Sequence, residues 1–115
     1  RLGPIHTAYT RASRLAEKEQ GAAAELEPAL LTEDAEAKVA AALERVDPEI
    51  AAALDAGDFN AAVEAGAELG PLLDRLFEDV LVLADDRAVR ANRLRLLLNV
   101  RDTLGRLGDL SQIPR

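Results

Sequence analysis

The chain has 115 residues, 49 % of them apolar but only 3 % aromatic, so a single domain with a core of Leu, Ala and Val is expected. It contains no Cys, which excludes disulfides and thiolate metal sites, and no apolar run near the roughly 20 residues of a membrane span. A net charge of −7 argues against a phosphate-bearing partner until its distribution is read: residues 1–18 carry net +3, 19–86 net −15 and 87–115 net +5.

Ala, Leu, Glu and Arg dominate and favour helix. A first helix is expected over about 4–19, with Pro4 allowed in its first turn. Leu2, Ile5, Tyr9, Ala12 and Ala16 share one face of it, and Arg11, Arg14 and Lys18 form a basic stripe on the other, at i, i+3 and i+7. Gly21 breaks the helix, and 22–31 reads as a connector holding Pro28. Thr32 is expected to cap a second helix that runs toward Ala56, with Glu33 and Asp34 near its positive end. Asp47-Pro48 falls inside this segment and should either kink it or restart it.

Ala56-Gly57-Asp58 reads as a stop followed by a new cap, opening a third helix over about 59–69. Gly70-Pro71 reads as the same device, starting a fourth helix over about 71–80. Val80–Ala84 is a short apolar run that fits either a strand or a buried helix end. The last helix is expected from about Asp86 to Leu107, with Gly105 and Gly108 fraying its end. The architecture implied is all-α, an antiparallel bundle of four to five helices joined by short loops. The chain opens on Arg1 and contains no Met, so a piece of a longer polypeptide is expected. With no apolar segment of signal-peptide type at its start, a soluble intracellular protein is expected as well.

A search for catalytic chemistry is nearly empty. His6 has no partner at metal-ligand spacing and reads as a surface or packing residue. No Gly-rich phosphate loop, GxSxG or HExxH motif is present. Asp85-Asp86 and Glu33-Asp34 read as solvated caps, because adjacent residues on a helix do not face one another. The chain is therefore expected to be non-catalytic and to hold no metal.

Binding chemistry concentrates in the last helix. On a helical wheel Arg90, Arg93 and Arg101 fall within about 80° of one another beside Leu94, Leu97 and Leu104, while Asn92, Arg95, Asn99 and Arg106 take the opposite, wetter side. Two readings compete. The arginines either pair at the core edge with acids such as Asp74 or Asp85, or turn their guanidinium forks to phosphates and base edges. For stacking unpaired bases only Tyr9, Phe59 and Phe77 are available, and Tyr9 lies on the apolar face of the first helix.

Five short segments in order carry a family resemblance. They are Thr7-Ala-Tyr-Thr-Arg11-Ala-Ser13-Arg-Leu15; Ala53-Leu-Asp-Ala-Gly57-Asp-Phe59-Asn-Ala-Ala62; Leu76-Phe77-Glu-Asp-Val80-Leu-Val-Leu-Ala84-Asp-Asp86; Arg90-Ala-Asn92-Arg93-Leu94; and Gly108-Asp109-Leu110-Ser111. From about His6 onward the chain resembles the C-terminal anticodon-binding domain of the bacterial glycyl-tRNA synthetase β subunit, one of the DALR group of helical tRNA-binding domains. It departs from that pattern at Arg14, where Asn is common, at Leu76, where a second Phe is common, and at Leu104-Gly-Arg-Leu107 near the tail. Arginyl-tRNA synthetases carry a related domain, but the Asp-Leu-Ser tail and the Asp85–Arg93 run fit the glycyl β subunit better.

The resemblance implies a cytoplasmic parent, one subunit of an α₂β₂ ligase that joins glycine to its tRNA with ATP and Mg²⁺. It places the catalytic site on the α subunit and no cofactor in this domain. The implied partners are the anticodon stem-loop of tRNA-Gly, the rest of the β subunit and the α subunit, with no membrane. Glycine anticodons carry two cytidines, whose amino groups Asp85 or Asp86 would accept from, beside Arg90 and Asn92 as donors to the ring. The expected RNA-binding set is Arg11, Arg14, Lys18, Asp85, Asp86, Arg90, Asn92, Arg93 and Arg101. The alternatives are a helical protein–protein docking domain and a free-standing RNA-binding relative.

Overall fold

In the computed structural model the described residues are 3–18, 21–80 and 85–107, with backbone alone at 3–5, 8, 17 and 18. Five helices appear: α1 (Gly3–Lys18), α2 (Asp34–Asp55), α3 (Phe59–Ala67), α4 (Leu69–Asp79) and α5 (Arg87–Gly105), with one 3-10 turn at Pro28–Leu30. They form a body of 42 × 24 × 23 Å, and no strand occurs among the described residues. None of these helices is long and apolar enough to cross a membrane.

Helix α5 lies between α1 and α2, and α2 in turn carries α3 and α4. The connector after α1 meets the first third of α5, where the Ala23 N–H donates to the Ala91 carbonyl at 3.0 Å. This sets α1 antiparallel to α5. Helix α2 follows α5 in the same sense, since Glu36 lies beside Arg93 and Asp47 beside Thr103. The core is made of short aliphatic side chains: Ala12 and Ala16 from α1, Val39, Val46 and Ile50 from α2, Leu69, Leu73 and Leu76 from α4, and Leu94, Leu96, Leu97, Val100 and Leu104 from α5. Small residues permit this close packing. A Cβ on Gly66 would come within 3.2 Å of Leu104 Cδ2 and 3.3 Å of Leu107 Cδ1.

Helix punctuation departs from the sequence reading at three places. The cap of α2 is Glu33 rather than Thr32, and the Glu33 N–H donates back to Glu36 Oε1 at 3.2 Å. Of the two alternatives at Pro48 the restart falls, because α2 is one helix from Asp34 to Asp55 with Pro48 inside it. Its ring removes the donor for the Glu44 carbonyl, but both residues are exposed, so water can reach that oxygen. Third, Gly70-Pro71 is not the break between α3 and α4. The break is the single residue Glu68, and Pro71 is the third residue of α4, where a backbone N–H would have no helical partner anyway. Glu68 is held by an ion pair with Arg45 of α2.

The other stops stand where they were expected. Gly57 has φ +74°, and the bonds from Gly57 N–H to Leu54 O and from Asp58 N–H to Ala53 O complete a two-bond helix stop. Asp58 then caps α3 by accepting from the Ala61 N–H at 3.0 Å, and Asp86 caps α5 by accepting from the Val89 N–H at 3.1 Å. Val80 ends α4 in extended backbone and is buried. The rest of the Val80–Ala84 expectation, and the Gly108–Ser111 tail, lie outside the described residues.

Asn92 is not on a wet face. It is fully buried, its Oδ1 accepting from the Glu27 N–H at 2.7 Å and its Nδ2 donating to the Glu27 carbonyl at 3.1 Å. One side chain on α5 thus satisfies both backbone groups of a connector residue 65 positions earlier. Asn92→Ala strands those groups, and we expect a loss of about 2–3 kcal/mol in urea unfolding. Gly57→Ala places a Cβ in left-handed backbone with open space around it, so only the conformational penalty, roughly 1–2 kcal/mol, should appear in the same assay.

Candidate nucleic-acid interface

The expected arginines divide by what surrounds them. Arg11 and Arg14 lie on the outer face of α1 and are exposed. Arg87 and Arg90 occupy the first turn of α5, also exposed. The antiparallel packing of α1 on α5, tied by Ala23 and Ala91, brings the last turns of α1 to the end of the bundle where α5 starts. Phe77 near the end of α4 belongs to the same region: with Arg11, Arg14 and Leu15 it lines a cleft of about 410 Å³. Among the described residues Arg11 is the one cation there with partners. Its guanidinium carbon stands 4.1 Å above the centre of the Phe77 ring, and its Nη1 lies 3.8 Å from Asp74. Among the described residues Arg14, Arg87 and Arg90 make no ion pair.

Helix α5 has no acid in its first turn and two arginines instead. Cations there oppose the helix dipole, so local stability does not account for them. Arginine side chains beside free backbone N–H groups make a place that favours anions, phosphate above all. Asp85 and Asp86 flank it, both exposed. Asp86 uses Oδ1 to cap α5, which leaves its other oxygen and both oxygens of Asp85 as acceptors on the same rim.

Other members of the expected set sit elsewhere. Arg93 is buried and its Nη2 bonds Glu36 Oε1 at 3.1 Å; its acid is Glu36, neither Asp74 nor Asp85. Asn92 is buried against Glu27, as described above. Arg101 is half-buried, bonds the neighbouring Asp102 at 3.2 Å, and lies about 21 Å along the axis from Arg87. The side chain of Lys18 lies outside the described residues. The sequence reading left two residues of this region off its binding set. Arg87 is signalled by its i, i+3 spacing to Arg90 at the start of a helix, whereas nothing local in the sequence points to Phe77.

A groove elsewhere on the surface is of opposite character. About 600 Å³ in volume, it runs between the connector, α2 and α5, floored by Leu26, Leu31 and Leu43 and rimmed by Glu44, Asp47 and Asp102. Arg106 spans it: its Nε donates to Asp47 Oδ1 at 2.8 Å, an oxygen that also accepts from the Thr103 hydroxyl. That hydrogen bond, and then the charge of Asp47, raise the Arg106 guanidinium above its ordinary value. Carboxylates on the rim make this groove a poor place for phosphate. No group of three His, Cys, Asp or Glu side chains that could hold a metal ion occurs among the described residues.

Residues 5–114 match the family described as the DALR anticodon binding domain. The chain is similar to the glycine–tRNA ligase β subunit of Anaeromyxobacter dehalogenans (strain 2CP-C), at 41 % identity over 113 residues, 97 % of this chain and 16 % of that protein. The same subunit of Thiobacillus denitrificans is 44 % identical over 98 residues, 85 % of this chain and 14 % of that protein. That of Shewanella denitrificans is 40 % identical over 108 residues, 93 % and 16 % respectively. The chain therefore spans about a sixth of the length of the relatives it matches. With the match running almost end to end and the helical fold in agreement, this chain belongs to the DALR anticodon binding domain family.

Proposed function

We propose that this chain is the anticodon-loop binding domain of a glycine–tRNA ligase β subunit, and that it holds tRNA-Gly in place for aminoacylation. The observation that carries the reading is the end of the bundle described above, where exposed Arg14, Arg87 and Arg90 have no acidic partner among the described residues of a chain with net charge −7. Arg87, Arg90 and Arg14, with Arg11 and Lys18 from the same helix, would take the phosphates of the loop. Asp85 and the second oxygen of Asp86 would accept from cytosine amino groups, and Arg90 would donate to the ring acceptors beside them. Asn92 and Arg93 act beneath this surface, holding the connector and α2 to α5. Arg101 stands too far along α5 to share one loop with Arg87.

On this reading the aminoacylation chemistry, with its ATP and Mg²⁺, belongs to the α subunit in the cytoplasm. The rest of the β subunit and the α subunit are this domain's protein partners. A docking role without RNA is the second reading, favoured by the acid-rimmed groove between α2 and α5.

Fluorescence anisotropy of a labelled glycine anticodon stem-loop, beside one with both anticodon cytidines replaced, separates the two. Tighter binding to the native loop is expected. Arg87→Ala and Arg90→Ala should each weaken it about 5- to 20-fold and lower the salt slope by about one, and Arg101→Ala should leave it within about twofold. Equal binding to both loops would leave a nonspecific basic surface and overturn the anticodon reading, and binding to neither would count for the docking role. Asp85→Asn should narrow the preference for the cytidines while leaving the salt slope almost unchanged, read in the same titrations.

A further inference from the structure

We infer that Phe77 and Arg11 form a stacking platform for one unstacked base of the bound loop, with Arg14 across the cleft on the phosphate beside that base. The inference rests on the anticodon-loop reading and adds to it the place where a base is gripped. A guanidinium is a plane with two faces. The Arg11 guanidinium carbon stands over the Phe77 ring at 4.1 Å, and the side chain is still 49 % exposed, which leaves room for a base to pack on it from the solvent side. Asp74 sits at the rim of that plane at 3.8 Å and is itself 69 % exposed. At that distance and exposure it adds little energy. It does bias the orientation of the guanidinium, which is what a stacking surface needs.

The cleft in front of this pair, about 410 Å³ and lined by Arg11, Arg14, Leu15 and Phe77, is shallow and opens broadly to solvent. Arg14 is exposed and makes no ion pair among the described residues, so its fork is open to a phosphate. The other two aromatic residues lack this setting. Tyr9 is half-buried against the core, as Phe77 is, but has no cation over its ring among the described residues. Phe59 is exposed but opens α3 beyond the far end of α2, at the other end of the bundle from Arg87, with no cation above it among the described residues. Stacking is tolerant of base identity. The platform therefore holds a splayed base and leaves its identity to be read at the Asp85–Arg90 rim.

The alternative is that Arg11 and Phe77 merely join α1 to α4. The two differ in whether the protein side chains couple to one nucleotide. Stem-loops in which each loop nucleotide is made abasic in turn are titrated against the 115-residue chain and its Phe77→Leu, Arg11→Lys and Phe77→Tyr variants, with thermal melts as a check of folding. Phe77→Leu keeps apolar volume beside Leu15 without a π face. Arg11→Lys keeps the charge without the plane.

Loss of one particular base should weaken wild-type binding about 10- to 100-fold, Phe77→Leu should lose a similar factor, and the two together little more than either. Arg11→Lys should lose about 5-fold or more with the salt slope unchanged, and Phe77→Tyr should stay within about twofold. If wild type prefers the native loop while Phe77→Leu and Arg11→Lys bind as wild type does, the platform falls and the anticodon reading stands. Losses for Phe77→Leu that multiply with every abasic position overturn the platform too, in favour of a joint between helices. If wild type binds no loop at all, the reading beneath the platform fails and takes it along.

Discussion

The fold depends on how α5 is fixed against the first half of the chain, and polar side chains fix it. A core of Leu, Val and Ala is forgiving: similar aliphatic side chains repack with small losses, and packing alone can leave two helices free to slip. Three ties remove that freedom. Asn92 holds Glu27 of the connector, Arg93 holds Glu36 at the start of α2, and Asp47 midway along α2 takes both Thr103 and Arg106. The first and last lie about 17 Å apart along α5, so together they oppose sliding and rotation. The Glu36–Arg93 pair is the most exacting, with Glu36 fully buried. An apolar pair of similar volume would stabilise the bundle at least as well, whereas removing one partner would leave a charge stranded. What such a pair contributes is a single allowed register.

That register determines which charges are left over. The seven arginines of residues 87–115 look alike in the sequence, and the fold assigns them separate work. Arg93 is taken into the core, Arg106 closes on Asp47, and Arg95 bonds Asn99 at 3.1 Å. Arg87 and Arg90 come before the first tie, at a helix start where α5 has left the cover of α2. Architecture and binding thus divide one helix between its middle and its first turn. Stabilising changes in the middle of α5 would leave the proposed RNA surface untouched, and changes in the first turn would hardly register in stability.

Much of this was legible in the sequence where a local rule decides the outcome. Gly57 followed by Asp58 ends one helix and opens the next because left-handed backbone and a side-chain acceptor are both required there. Asp86 was legible as a cap on the same ground. Pro71 misled because proline at the third position of a helix forfeits only a free N–H, so it marks a helix start without saying which residue begins it. Asn92 was placed on a wet face because a helical wheel assumes that polar residues seek solvent. Its partner is a connector 65 residues earlier, and no local pattern reports that chain return. The acid for Arg93 was hidden for the same reason: Glu36 looks like an ordinary first-turn carboxylate until α2 and α5 are brought together. Of the site, the stripe of Arg11 and Arg14 was readable from spacing alone, but its meeting with Phe77 depends on α1 touching α4.

Net charge, finally, is the wrong quantity by which to judge this surface. At physiological ionic strength exposed charges are screened over about 8 Å, while the body is 42 Å long. Asp47, Glu49 and Asp55 in the second half of α2 do little to cancel arginines at the far end, though they would repel RNA laid along the side of the bundle. An approaching loop would therefore meet attraction at one end and repulsion elsewhere, so the acidic body orients the encounter. Four exposed arginines, Arg11, Arg14, Arg87 and Arg90, can neutralise only a few phosphates, and affinity from counterion release is correspondingly modest. For a domain spanning about a sixth of its relatives' length, modest affinity suffices, because contacts made elsewhere along the same tRNA would raise its effective concentration at this end. A weak grip that discriminates, backed by a larger surface that does not, lets the loop be tested and released.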